Sequence, residues 1–187
     1  MPIIKVHLFK GHSRGVKTRL ANMLTDAFRM IIPTSPNAIT VLLEEFDREN
    51  YMRGGAIRRR QDAYADPVTV LSAYIKAFQS SDFDALKDCL TDDFTFTMPG
   101  GAVFGEMSEV LEWLGTQMPS FKVSDRVSET AFGERGPVVY VRGVLAGKRS
   151  DGAQFENTRM ITRYEFAGGK IASVGFWYDL PSPAPET

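Results

Sequence analysis

The first residue placed to do chemistry is Pro2. Behind Met1 its nitrogen is an amide with no usable lone pair; freed of Met1 it is a terminal secondary amine that can take and return a proton. A small second residue such as proline permits that removal, so the Met1-Pro2 pair is a place where the chain could expose a base. Other reactive side chains are few. His7 and His12 are the two histidines, and Cys89 is the lone cysteine, which excludes a disulfide within the chain. Cys89 falls with Phe83, Leu86 and Leu90 on one apolar helix face, the setting of a buried, inert thiol. Asp92 and Asp93 read as a helix-end turn and Arg58, Arg59 and Arg60 as a solvated basic run. With no cluster of thiols and imidazoles at ligand spacing, neither a metal nor another cofactor is expected.

Composition sets the frame for these residues. The chain has 187 residues, is 43% hydrophobic and 24% charged, and carries a net charge of -1, an ordinary globular balance. Near-neutral charge gives no electrostatic reason to expect nucleic acid or an anionic membrane as partner. No apolar run approaches the roughly 20 residues of a membrane helix, and Lys5, His7 and Lys10 interrupt what a signal peptide would leave apolar. The expected location is cytoplasmic.

The elements that must position Pro2 come directly behind it. Ile4, Val6 and Leu8 alternate in phase with Pro2, while Lys5 and His7 take the opposite face, which predicts a strand over 2–9. Ser13 is an N-cap, and Val16, Leu20, Met23, Leu24, Ala27, Phe28 and Ile31 recur at helical spacing until Pro33. A second strand, Ile39 to Phe46, completes a β-α-β unit whose helical crossover requires parallel pairing. A unit of about 60 residues buries too little surface to stand comfortably alone and should assemble with copies of itself or lean on the rest of the chain.

The pattern lapses into charge near residue 60, then Asp66-Pro67 caps a new helix through Tyr74 and Phe78. A second helix runs from about Asp82 to Leu90, the FTFTM strand comes next, and a third helix passes through Met107, Val110, Leu111 and Leu114. Strands near 121–132, 137–148, 154–166 and 170–179 come last, with SDG and AGGK as hairpin turns. The predicted fold class is α+β: a β-α-β domain over 1–62, then a cone-shaped domain over 63–180 with three helices against a curved antiparallel sheet, and a flexible tail over 181–187.

The stretch PIIKVHLFKGHS, a helix, the ITVLLEEF strand and NYMRGG resemble the 4-oxalocrotonate tautomerase family over about residues 2–60. The resemblance implies that Met1 is removed and that the Pro2 nitrogen is the general base, shuttling a proton between carbon and oxygen of a small enol. It also implies cations or donors near Pro2, to lower the amine's pKa and to stabilise charge on the enolate oxygen. Here the sequence departs from the family. His12 stands where the first catalytic arginine is expected and Thr40 where the second is, which puts a dicarboxylate substrate in doubt. Tyr51 matches the family's aromatic residue, and Arg14, Arg48 and Arg53 are the guanidiniums at hand. The substrate-binding candidates are His12, Tyr51 and Arg53.

The stretch YIKAFQSSDFDALKDCLTDDFTFTMPGG, with RYEFAGGKIASVGFWYD later, resembles the SnoaL-like and ketosteroid isomerase branch of the nuclear-transport-factor-2-like fold over about 66–180. Ketosteroid isomerase uses an aspartate base, with a tyrosine and a protonated aspartate as oxyanion donors. By this resemblance the tyrosine is retained as Tyr74, Met98 occupies the base position and Thr162 the second aspartate's, so that mechanism cannot run. Tyr140, Asn157 and Arg159 are polar candidates for the cavity, and the pocket set is Tyr74, Met98, Trp113, Arg159 and Trp177. Alternation puts Asn157, Arg159 and Arg163 on one face of their strand and Met160 and Tyr164 on the other, without saying which is concave.

The expected function is a tautomerase or isomerase acting through Pro2 on a small carbonyl or enol compound, with a ligand-binding second domain, in a homo-oligomer. The same amine could instead activate water or form an iminium with a carbonyl substrate, as a hydratase, lyase or dehalogenase would, and two alternatives place the function in the second domain. The second pocket could be the functional site of a polyketide cyclase-like enzyme, or of a binding protein without turnover, with the first domain driving oligomerisation.

Overall fold

The computed structural model describes residues 1–57, 64–134 and 136–179. The Arg58–Arg60 run, the expected boundary at 62/63 and the 181–187 tail lie outside them. The chain divides into two compact units, Met1–Asp62 and Ala63–Thr187.

In the first unit, β1 (Ile3–Phe9) and β2 (Thr40–Phe46) pair in parallel from Ile3 opposite Thr40 to Phe9 opposite Phe46. Helix α1 (Arg14–Ile31) crosses between them. It starts where Ser13, in extended conformation, accepts the Val16 amide on its hydroxyl at 3.3 Å. It ends before Pro33, whose ring would clash with the preceding turn. The unit closes with a hairpin of β3 (Met52–Arg53) and β4 (Ala56–Ile57). Gly54 and Gly55 both hold positive φ, +62° and +79°, the two-residue turn that only glycine or asparagine-like residues enter readily.

Charge covers one face of the strand pair. Lys5 and His7 both reach Glu44, at 2.6 and 3.2 Å, and Lys10 holds Asp47 beyond the strand ends, while Lys17 of the helix holds Glu45 on the opposite face, beside Leu8. The Lys5 ammonium keeps the Glu44 carboxyl below its usual range. On the other face Ile4, Val6 and Leu8 reach only partial burial, as do Leu20, Leu24 and Phe28 of the helix. No described residue of this unit is fully buried, and Val16, Ile31 and Leu42 are mostly or largely open to solvent.

The second unit has a true core. Helices α2 (Pro67–Ser80), α3 (Phe83–Asp88) and α4 (Met107–Gln117) pack on one sheet. Its strands are β5 (Leu90–Thr97), β6 (Val103–Phe104), β7 (Ser120–Phe132), β8 (Pro137–Lys148), β9 (Gln154–Ala167) and β10 (Lys170–Tyr178), in the order β6-β5-β10-β9-β8-β7. Pairing is antiparallel except between β5 and β10, which run parallel, the chain passing through α4 and four further strands between them. Asp66 caps α2 by accepting the Val68 amide at 2.8 Å, and Asp82 caps α3 by accepting that of Ala85 at 3.1 Å.

Two local expectations are corrected. Asp92 and Asp93 lie exposed within β5 rather than on a helix-end turn, because the strand begins at Leu90. Phe83 is 51% exposed, whereas Leu86 on the same helix is 1% exposed. Cys89 is half-buried at the end of α3, and desolvation pushes its thiol up, away from the reactive thiolate. Leu86→Ala should cost about 2–5 kcal/mol in urea unfolding followed by near-ultraviolet dichroism, and Phe83→Ala about 1 kcal/mol or less; equal losses would contradict this placement of the core.

Candidate functional site

Pro2 is half-buried at the start of the strand pair, where its carbonyl accepts the Thr40 amide at 3.0 Å. Thr40, expected at one of the family's arginine positions, pairs with Ile3 and carries no charge. The other candidates of this unit gather at the far end of the same strands. Tyr51 meets Phe9 edge-on at 5.4 Å between ring centroids and lies 6.1 Å from Phe46, and the Arg48 guanidinium sits 4.6 Å over the Phe9 ring. His12 comes after Phe9 in the exposed turn into α1, and Arg53 comes after Tyr51 in the exposed hairpin. β1 is 7 residues long, so about 23 Å separates the two ends. Within one chain the structure therefore does not bring Pro2 together with His12, Tyr51 and Arg53.

The second unit holds a cavity of about 90 Å³ between α2 and the inner sheet face, open at one side. Inner and outer faces are set by β9, where Thr158, Met160, Thr162, Tyr164 and Phe166 are buried while Arg159 and Ile161 are exposed. The concave face is thus the one carrying Met160 and Tyr164. A bulge at Asn157, with φ +54°, restarts the alternation so that Phe155 also turns inward.

Of the five pocket candidates, Tyr74 lines this cavity and the other four do not. Met98 is 2% exposed at the end of β5, in the core beside the cavity. Trp113 packs on Phe104 at 6.5 Å, one residue out of phase with Leu114, which does line the cavity. Arg159 is on the outer face, paired with Asp179 at 2.6 Å. Trp177 is 48% exposed on that face, its indole folded over Gly175. Tyr140 and Asn157 are also displaced from the cavity: the Tyr140 hydroxyl accepts from Arg163 at 3.3 Å, in an outer network where Arg163 and Ser173 both hold Glu165.

The polar groups that do reach the cavity are Tyr74, Gln79, Arg126, Thr162 and Tyr164. The Tyr74 hydroxyl donates to the Met107 sulfur at 3.6 Å, a weak acceptor, and its ring meets Tyr164 edge-on at 5.8 Å. Burial pushes the Tyr74 hydroxyl well above its ordinary pKa. Tyr164 is raised to about 12, first by burial, against the lowering effects of a Thr162 hydrogen bond and the Arg126 charge. Both phenols are therefore neutral donors at physiological pH. Sequence alternation sets Tyr164 beside Met160 and leaves the concave face open, and nothing in the sequence points to Arg126, whose position depends on a bulge with no sequence signature. Among the described residues no group of three His, Cys, Asp or Glu side chains comes together as a metal site. No helix among them is long and apolar enough to cross a membrane.

Raised phenol pKa values favour the folded state most fully below the ordinary value of about 10 and lose that contribution as pH climbs through the folded value. In an absorbance titration at 295 nm, Tyr74 and Tyr164 should stay protonated past pH 11 and ionise together with unfolding. Full ionisation of all tyrosines near pH 10, with the fold intact, would contradict the closed setting of the two rings.

Residues 71–174 match the SnoaL-like domain family and residues 2–58 the tautomerase enzyme family. No curated protein matches the chain. Among solved structures, TerC co-crystallized with polyporic acid is 15% identical with a TM-score of 0.50, the alignment covering 60% of this chain and 90% of that one. An NTF2-like protein of unknown function from Burkholderia pseudomallei is 15% identical with a TM-score of 0.49, over 60% and 89% of the two chains. A putative polyketide cyclase from Xanthomonas campestris pv. campestris is 18% identical with the same TM-score, over 60% and 89%. At these identities the likeness concerns the fold.

Proposed function

Because the chain belongs to the SnoaL-like domain family and carries a tautomerase-type unit ahead of it, we propose that it is an isomerase of small enol or keto compounds whose base is the Pro2 amine, freed by removal of Met1. The observation that carries this reading is the tautomerase match beginning at residue 2, on a strand, turn and helix that fold in that family's order. The amine takes a proton from the enol oxygen and delivers one to carbon, while a donor beside the oxygen holds the charge that builds there.

That donor comes from a second copy. Pro2 and the His12–Tyr51–Arg53 group stand about 23 Å apart along one strand pair, so a working site joins the amine end of one copy to the recognition end of another. The open apolar residues of the first unit, Ile3, Val16, Ile31 and Leu42 among them, supply surface for such an assembly. With the family's two arginine positions occupied by His12 and Thr40, the fitting substrate carries one carboxylate at most. The partners of this reading are a small carbonyl or enol compound and further copies of the chain, with neither nucleic acid nor membrane involved.

A second reading has an observation of its own in the cavity of the second unit, lined by aromatic rings and buried hydroxyls. There the cavity is the functional site, cyclase-like or purely binding, and the first unit is the device for oligomerisation.

Intact mass should show the loss of Met1, and wild type should speed ketonisation of phenylenolpyruvate while acting more slowly on the dicarboxylate 2-hydroxymuconate. Pro2→Ala should lose about 100-fold or more in rate. A retained Met1, or equal rates in the two proteins, would remove the amine mechanism and leave the cavity reading.

A further inference from the structure

Arg126 is the one cation among the described residues lining the cavity. Regular strand alternation does not put it there. Asp125 has φ +50°, and the β7–β8 pairing slips between Ser124 and Val127, so Asp125 and Arg126 together oppose the single residue Gly143. Such a bulge re-aims a side chain. Gly143 is what admits it: a Cβ at that position would come within 2.8 Å of the Ser124 carbonyl oxygen and 3.1 Å of Val123.

The guanidinium so placed is not used up by the protein. Arg149, Arg159 and Arg163 each hold a carboxylate, whereas Arg126 pairs with none among the described residues. It is an exposed residue that still lines the cavity, which puts it at the rim, hydrated when the site is empty. Its charge acts on the Tyr164 phenol, and Thr162 lines the cavity beside them. The Tyr164 hydroxyl is a neutral donor that lines the same cavity. Behind these groups the wall is apolar, with Phe78, Phe96 and Phe176 among its members.

We propose that this cavity binds a flat apolar compound bearing one ionised oxygen group, a carboxylate or an enolate, which the Arg126 guanidinium pairs and the Tyr164 hydroxyl hydrogen-bonds. The rings take the apolar body, and the charge-assisted bond offsets the cost of drawing the anion out of water. A neutral isostere gains the first term without the second, so the cavity discriminates by charge. The inference rests on reading the second unit as a small-molecule site and does not depend on the Pro2 chemistry.

The test is calorimetric titration of the full chain with trans-cinnamate and with cinnamamide, its neutral isostere. Wild type should bind cinnamate about tenfold or more tighter than the amide. Arg126→Gln should erase the preference with amide affinity unchanged, Arg126→Lys should keep part of it, and Arg142→Gln, on the outer face of β8, should keep all of it. Pro2→Ala should bind cinnamate as wild type does, whatever becomes of ketonisation, so failure of the amine mechanism and failure of this site read differently. Cinnamate preference surviving in Arg126→Gln, no saturable binding of either probe, or loss of cinnamate binding in Pro2→Ala alone would each overturn the assignment.

Discussion

A parallel pair of strands keeps its two ends apart, and that constraint governs what the first unit can do. The pairing of β1 with β2 has no hairpin to fold one end back on the other; the chain must return through α1. Pro2 is therefore fixed at one end, and His12, Tyr51 and Arg53 are fixed at the other. The same small β-α-β layout leaves no described residue of the unit fully buried, as expected of about 60 residues with one helix and two principal strands. Incomplete burial and an incomplete site are two consequences of one geometry, and a neighbouring copy would answer both.

The second unit obeys a different rule. Its six-stranded sheet is long enough to curve, and the helices close one face over a core that includes Leu86, Val110, Leu145 and Ile171, each almost wholly excluded from solvent. Bulges in β7 and β9 help shape that sheet, and each changes which side chains face inward. The cavity is what the curvature leaves unfilled. Its phenols are neutral because they are buried, and Arg126 keeps its charge available to a ligand because it stands at the rim.

Legibility in the sequence divides along the same line between regular and irregular structure. Alternation at Ile4, Val6 and Leu8 and the Ser13 cap mark the first strand and helix, and Asp66-Pro67 marks the start of α2, because these signals are local. Tyr74 is legible through the family resemblance. Trp113 and Trp177 are not, since one residue of helical phase separates Trp113 from the cavity-lining Leu114, and only the sheet's direction of curvature turns Trp177 outward. Arg126 is hidden for a plainer reason: strict alternation across β7 misplaces every residue beyond a bulge. The separation of Pro2 from Tyr51 is implicit in the parallel pairing but not visible until both ends are placed on one sheet.

The central claim is that the amine end of one copy works with the recognition end of another, and subunit complementation tests it most directly. Pro2→Ala and a His12→Ala/Tyr51→Ala/Arg53→Ala variant, each impaired alone, are unfolded together, refolded as a mixture and assayed for phenylenolpyruvate ketonisation. Mixed assemblies contain sites that join an intact amine to an intact recognition end, so the account predicts activity well above the sum of the separate proteins. A mixture no more active than that sum, with mixed assemblies demonstrated by mass, would contradict it.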